Sequence, residues 1–173
     1  MPDQLENIKL GACTVTWDST DLGYTKGGAE VELSTSKKAV TVDQFGESVV
    51  NEYITGRMIK VRFSLAEHDL AKLVNVIPGA TLVTDGTDSS KKKITVISST
   101  GLSLRDIARK LVLHPKDLDH KNEDFVAPLA APDGNITFSY QHSEERVFSV
   151  EFTGYPDATT GELYTLGDDT ATA

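Results

Sequence analysis

Residues 22–78 read LGYTKGGAEVELSTSKKAVTVDQFGESVVNEYITGRMIKVRFSLAEHDLAKLVNVIP, and this stretch decides the fold. Apolar and polar side chains alternate over residues 29–34 and again over residues 59–64. An alternation with period two is typical of a strand that has one face on a core and the other in water. The stretch therefore predicts two half-buried strands, and residues 35–58 form the connection between them.

The connection between these strands carries apolar side chains in a polar setting. Residues 36–38 (SKK) are typical of a turn, and Val40 with Val42 predicts a short return strand. We expect a long inter-strand loop over residues 43–56, which includes one phenylalanine and paired valines. Loops seldom keep such side chains exposed, so this one is expected to bury them against another molecule.

A helix is predicted after the second strand. Ser64 and Glu67 have the spacing of a capping box, in which each side chain satisfies a free N–H at a helix start. Pro78 and Gly79 end the element. The apolar residues that recur on one helical face are Ala66, Leu70, Leu73, Val74 and Ile77.

Further strands are predicted on both sides of this stretch. Alternation over residues 8–12 and 13–17 changes phase, which indicates a bulge at Gly11 or Ala12. A polar, lysine-rich tip joins residues 81–83 and 94–97 in a hairpin. Three more strands are expected at residues 125–129, 136–140 and 148–152. Because the connections between them are short, we expect these strands to be antiparallel neighbours.

A second, short helix is predicted between these groups of strands. Ser103 and Asp106 form its capping pair, and the pattern runs on until Pro115 stops it. Its apolar face consists of Leu104, Ile107, Ala108 and Leu111. The expected fold is thus mainly β, an antiparallel sandwich or barrel with one flanking helix and a second short one. It forms one domain over residues 1–173, with a flexible arm at 1–7 and a polar acidic tail at 157–173.

Composition limits the possible partners. The net charge is −9 at pH 7, and an acidic surface repels the phosphates of nucleic acids. A single cysteine, Cys13, gives no intrachain disulfide. We expect no signal peptide and no membrane span, because no window is apolar enough.

The residue patterns predict no catalytic site, metal site or cofactor. The four histidines (His68, His114, His120 and His142) are scattered, and we expect them on the surface or in loops. An acidic cluster at Asp117, Asp119, Glu123 and Asp124 lacks the spacing of a calcium loop and is expected to be solvated. No serine lies in a G-x-S-x-G elbow. The residues alone thus favour an assembly or binding module.

Four segments, in this order, resemble the major tail (tail tube) proteins of long-tailed bacteriophages. They are LGYTKGGAEVEL (22–33), VDQFG (42–46), NEYITGR (51–57) and EFTGYPD (151–157). The resemblance covers nearly the whole chain. It implies a β-sandwich with a flanking helix, a fold shared with the tube protein of type VI secretion systems.

The resemblance also implies a non-enzymatic structural role in the virion tail, after synthesis in the cytoplasm of the bacterial host. Copies of the chain would close into hexameric rings, and stacked rings would form the tube through which genome DNA enters the host cell. Other implied partners are the tape measure, tail tip and tail terminator proteins. DNA would pass without specific binding, because a negative wall repels phosphates.

The same analogy selects candidate contact residues. Candidate lumen or subunit-contact positions are Glu30, Glu32, Ser34, Lys60 and Arg62. Lys60 and Arg62 fit a negative wall if they pair with Glu30 and Glu32 of a neighbouring strand. Candidate ring-stacking residues are Asp43, Gln44, Phe45, Gly46, Val49, Val50 and Asn51, with the arm and the tail as further candidates.

Two other functions remain open at this stage. An Ig-like or jelly-roll virion decoration or carbohydrate-binding module would be a monomer with an aromatic platform on one face. A small hydrolase would have a pocket with convergent titratable groups.

Overall fold

The computed structural model describes residues 11–116, 118–143 and 145–172, so the predicted arm lies outside it. The strands are β1 Cys13–Trp17, β2 Thr20–Asp21, β3 Thr25–Thr41, β4 Val49–Leu65, β5 Ala80–Thr84, β6 Lys92–Val96, β7 Arg109–Pro115, β8 Phe125–Pro132, β9 Phe148–Tyr155 and β10 Thr165–Leu166. The helices are α1 Leu70–Leu73 and α2 Leu104–Ile107, and short 3-10 turns occupy Asp43–Phe45 and Val74–Val76.

One antiparallel sheet organises the molecule, in the strand order β2, β1, β7, β8, β9, β4, β3. β10 adds to β8, and β5 pairs with β6 in a separate two-stranded sheet. The predicted mainly β, antiparallel fold with two short helices is confirmed. The predicted hairpin at 81–83 and 94–97 is confirmed as β5–β6.

The core lies against one face of the large sheet, which we call the inner face. Along β4, every second side chain from Ile59 to Leu65 is buried, and β9 follows the same rule. This is the half-buried alternation that the sequence predicts for this part of the chain. Leu73 of α1 and Val76 of the following turn close the core.

Trp17 ties β1 to β8 and β9. Its indole N–H donates to the carbonyl oxygen of Ala130 at 2.8 Å, and its ring meets Phe152 edge to face with centroids 5.9 Å apart. Even a half-buried indole is stabilised by such a partner, since its N–H would otherwise lose a hydrogen bond to water.

The predicted turn at residues 36–38 is wrong, and the predicted loop at 43–56 is too long. β3 runs unbroken to Thr41. At the SKK segment, the pairing of β3 with β4 shows only a shift of register between Ser36 and Lys37. The next shift lies at the end of the paired strands, between Val40 and Thr41. β4 already begins at Val49, so residues 42–48 alone connect the two strands. Side chains exposed on both faces produced no alternation, and the strands were missed for that reason.

The predicted start of the first helix at Ser64 is also wrong, because β4 includes this residue. Asp69 is the N-cap instead, and its carboxylate accepts a hydrogen bond from the N–H of Ala71 at 2.9 Å. Glu67 makes an ion pair with Lys72 at 2.6 Å. The chain therefore leaves the sheet later than predicted, and the helix is a single turn.

The second helix begins as predicted but ends early. The Ser103 hydroxyl accepts a hydrogen bond from the N–H of Asp106 at 3.3 Å, and α2 stops at Ile107. The predicted continuation is wrong, because Leu111 and Leu113 are alternate buried residues of β7. A helical turn followed by a strand happens to reproduce the spacing of one longer helix.

Of the last three predicted strands, two are confirmed as β8 and β9. The third, at residues 136–140, is wrong: the segment makes only an isolated bridge between Thr137 and Ser149.

The predicted polar tail also packs on the body, as far as its described residues 157–172 show. β10 lies within it, Tyr164 stacks on Phe125 with centroids 6.1 Å apart, and Asp169 pairs with Lys110.

Candidate assembly surfaces

The outer half of the β3–β4 hairpin projects beyond the sheet. β9 pairs with β4 over Ile59 to Leu65, and within the described residues no strand other than β3 pairs with β4 from Val49 to Met58. We call β3 from Leu33, β4 to Met58 and the turn between them the distal hairpin. Ten residues of strand span about 34 Å, so this is a long unsupported element.

The distal hairpin exposes large apolar side chains. The exposed fractions are 66% for Phe45, 61% for Tyr53 and 55% for Ile54. Lys38 pairs with Tyr53 and Lys37 with Ile54, and successive pairs point to opposite faces. The hairpin is therefore apolar on both faces, and a two-stranded hairpin of this kind is marginally stable in water by itself.

All seven predicted ring-stacking residues lie at the end of the distal hairpin. Asp43, Gln44 and Phe45 form the 3-10 turn, and Gly46 follows it with a positive φ of 61°, which favours glycine. The other three are the first residues of β4 and are exposed: Val49, Val50 and Asn51. The structure thus brings this predicted set together, as one tip with two strand starts instead of a loop.

The predicted lumen residues share the outer face of the sheet. Glu30 pairs with Arg62 and Glu32 with Lys60 across β3 and β4, and Ser34 continues the same row. Directly paired residues point to the same face. Alternation along β3 and β4 thus indicated the grouping correctly.

Glu151 joins this group, and sequence reasoning missed it. Its carboxylate accepts from Arg62 Nε at 2.6 Å and also pairs with Lys60, while Arg62 Nη1 donates to Glu32 at 2.9 Å. Hydrogen bonds from Lys60 and then Arg62 hold the pKa of Glu151 below its ordinary value. The polar positions of β9 were visible in the sequence, but only the register of β9 on β4 places Glu151 between the two cations.

The outer face is therefore a row of ion pairs. Arg62 does pair with Glu32 as the sequence analysis required, whereas Lys60 pairs with Glu151. Carboxylates of the same sheet pair with both cations, so the outer face carries little excess positive charge to attract phosphates.

His114 and Asp124 depart from the predicted surface histidines and solvated acidic cluster. The other predicted residues that the structure describes are exposed: His68, His120, His142, Asp119 and Glu123. His114 lies in β7, and its Nδ1 is 2.6 Å from Oδ1 of Asp124, which is only 4% exposed. Its Nε2 lies 3.1 Å from the carbonyl oxygen of Leu118. A carbonyl oxygen only accepts, so Nε2 carries a proton in this arrangement. The pair pins residues 118–124 to the sheet.

No group of three or more His, Cys, Asp or Glu side chains that could hold a metal ion occurs in the described ranges. None of the helices described is long and apolar enough to cross a membrane.

One exposed pair of aromatic side chains lies in the segment that bridges β9 between Thr137 and Ser149. Tyr140 and Phe138 meet at 78° with centroids 5.8 Å apart, and the guanidinium of Arg146 lies 4.8 Å from the Tyr140 ring centroid. The guanidinium covers part of this aromatic surface.

Comparison with known proteins adds no assignment, because no family model and no curated protein matches this sequence.

Proposed function

We propose that this protein is a tail tube subunit of a long-tailed bacteriophage, a structural virion protein that assembles into stacked hexameric rings. The fold proposed is that of phage tail tube and type VI secretion tube proteins. The tube would conduct genome DNA into the host cell, without catalysis or a cofactor. Tape measure, tail tip and tail terminator proteins are its further proposed partners.

The observation that carries the proposal is the distal hairpin. Its side chains are apolar on both faces, and the described parts of its own chain leave them exposed. Burial of apolar surface is worth about 25 cal/mol per Å², so another molecule that covers both faces would be bound favourably. Repeated copies of the same chain supply such cover without a second gene product.

The sheet supports a tubular arrangement in a second way. Its inner face is filled by the core, and its outer face carries the row of ion pairs around Arg62 and Glu151. If the outer face lines a lumen, DNA meets carboxylates and neutralised cations. The net charge of −9 at pH 7 favours passage without adhesion.

Electron microscopy of the purified protein at increasing concentration tests the proposal. We expect rings or hollow tubes. A variant that replaces residues 41–50 with a two-residue Asn-Gly turn shortens the hairpin tip and keeps Val40 opposite Asn51, and we expect it to fold but not to form tubes. Tubes of unchanged length and number from this variant would contradict the role of the tip.

A carbohydrate-binding role is the second candidate, and the exposed Tyr140 and Phe138 favour it. It predicts a monomer at all concentrations, with glycan binding that Tyr140→Ala abolishes. If the Tyr140→Ala variant forms rings as well as the wild-type protein does, and neither of the two binds glycans, the carbohydrate-binding role is excluded and the tail tube function remains.

A further inference from the structure

The β5–β6 sheet has one face turned away from the core. Leu82 and Ile94 pair across the two strands, and Ile94 packs against the core. Val83 and Lys93 are the next pair and point to the opposite side. Ile97 directly follows β6 and is 75% exposed, and continuation of the strand alternation puts it on the side of Lys93. We call Val83, Lys93 and Ile97 the β5–β6 face.

This face is basic in an acidic protein. Lys91 pairs with Asp88 at 3.5 Å, whereas Lys92 and Lys93 make no ion pair within 4 Å among the described residues. The Asp85 carboxylate is engaged in the turn, where it accepts hydrogen bonds from Thr87. The β5–β6 face therefore combines two apolar side chains with the cation of Lys93, whereas Lys92, in the next pair, alternates to the other side of the sheet. Such a face is available for an acidic, apolar partner.

The tip of the distal hairpin has the opposite character. Phe45 and Val49 are exposed, and Asp43 and Glu47 stand on either side of Phe45. Within the described chain, neither carboxylate has an ion-pair partner within 4 Å. The tip is an apolar centre between two negative charges, which matches the composition of the β5–β6 face.

We propose that the hairpin tip of one copy docks on the β5–β6 face of a second copy, with Phe45 against Val83 and Ile97 and with Glu47 facing Lys93. This inference rests on the proposed function, because it names the two surfaces that join subunits. In a contact between two identical tips, carboxylates would face carboxylates. In a contact between two β5–β6 faces, lysines would face lysines. Such juxtapositions are unfavourable, so the tip and the face select each other.

A contact between two different surfaces of identical subunits is heterologous. It leaves a free tip at one end of each pair and a free face at the other, so it propagates into a ring or a filament. Each contact is small, and multiple contacts per subunit supply the stability of the assembly.

Charge reversal tests this docking, with the assembled fraction measured by sedimentation at a fixed concentration. We expect Lys93→Glu and Glu47→Lys each to lower the assembled fraction at least about tenfold, because each opposes like charges. The double variant, which carries both changes in one chain, restores the opposite charges. We expect it to assemble to within about threefold of the wild-type protein.

Lys121→Glu is the matched control, since it makes the same charge change at an exposed position that belongs to neither surface. It should assemble like the wild-type protein. A double variant no better than either single variant, or a Lys93→Glu variant that assembles normally, would overturn the docking while leaving the proposed function intact. A wild-type protein that never assembles would overturn both.

Carbodiimide coupling gives a test that needs no variant. The reagent joins a carboxylate and an adjacent amine as an amide, and the water lost converts the carbodiimide to its urea. In a mixture of unlabelled and 15N-labelled protein, we expect a mixed-isotope peptide that links Glu47 to Lys93. Mixed-isotope links at other positions, in assembled protein that lacks this one, would contradict the docking.

Discussion

The two halves of the β3–β4 hairpin share one ladder of hydrogen bonds but have opposite surroundings. From Ile59 to Leu65, β9 covers the second edge of β4, and every other side chain is buried. From Val49 to Met58, every residue is exposed, although the strand continues without a break. The difference shows that the outer part of the hairpin is regular strand with apolar side chains that do not pack in the described core. An element of that kind is best explained by a partner.

The largest expected effect contrasts two phenylalanines, one in each region. Phe63→Ala should lower the free energy of unfolding by about 3–5 kcal/mol, because it leaves a cavity beside Phe152. Phe45→Ala should change it by no more than about 0.5 kcal/mol in dilute protein. Denaturant unfolding of both variants measures this, and a comparable loss for Phe45→Ala would show that the tip is stabilised within its own subunit.

Two glycines give a finer version of the same contrast. A Cβ on Gly154 would lie 3.2 Å from Cβ and Cδ1 of Ile59, so we expect Gly154→Ala to destabilise the protein by about 1–2 kcal/mol. At Gly56, in the distal hairpin, a Cβ would meet only Ser36, at 4.0 Å. Gly56→Ala should be neutral or stabilising, by less than about 1 kcal/mol. Thermal unfolding would contradict the account if the two variants behaved alike.

The smallest expected change in stability comes from removing one ion-paired glutamate from each half of the β3–β4 hairpin region. The pKa of Glu151 is lowered in the folded protein, so its ion pairs stabilise the fold above the ordinary pKa of 4.5 and are lost as pH falls below it. We expect Glu151→Gln to lower the urea midpoint at pH 7 and to cause a smaller deficit at about pH 3, because the stabilisation is lost as pH falls through the lowered pKa of Glu151. Glu52→Gln, which breaks the exposed pair with Lys37 in the distal hairpin, should have little effect at either pH. A Glu151→Gln deficit as large at pH 3 as at pH 7 would assign the loss to packing.

The same contrast explains how much of the fold could be predicted from the sequence. Alternation located β4 from Ile59 onward and β9, because burial of one face forces apolar and polar residues to alternate. β8 was also located, although adjacent residues in it are buried and its burial does not alternate. Alternation failed in the distal hairpin, where Lys37 and Tyr53 are exposed alike and no face is selected. Helix length failed for a different reason. Ser64, the predicted cap of the first helix, and Leu111, on the predicted face of the second, belong to strands whose extent is set by tertiary pairing.

The candidate surfaces were predictable to the same degree. Residues 43–51 were recognised because apolar side chains stood among polar ones, and their grouping at one tip follows from local sequence. Glu151 and the β5–β6 face were missed, because their roles depend on strand register and on which side of a hairpin meets the core. Those features arise from contacts far apart in the chain.

Hydroxyl-radical footprinting of Tyr53 and Met58 tests the central claim most directly, since it measures whether other copies cover the distal hairpin. In dilute protein both side chains should be oxidised readily, because both are exposed. In concentrated, assembled protein we expect their oxidation to fall about tenfold or more, while exposed Ile97 provides a second site that should also be protected. Assembled protein in which Tyr53 and Met58 are oxidised as fast as in the monomer would contradict the account.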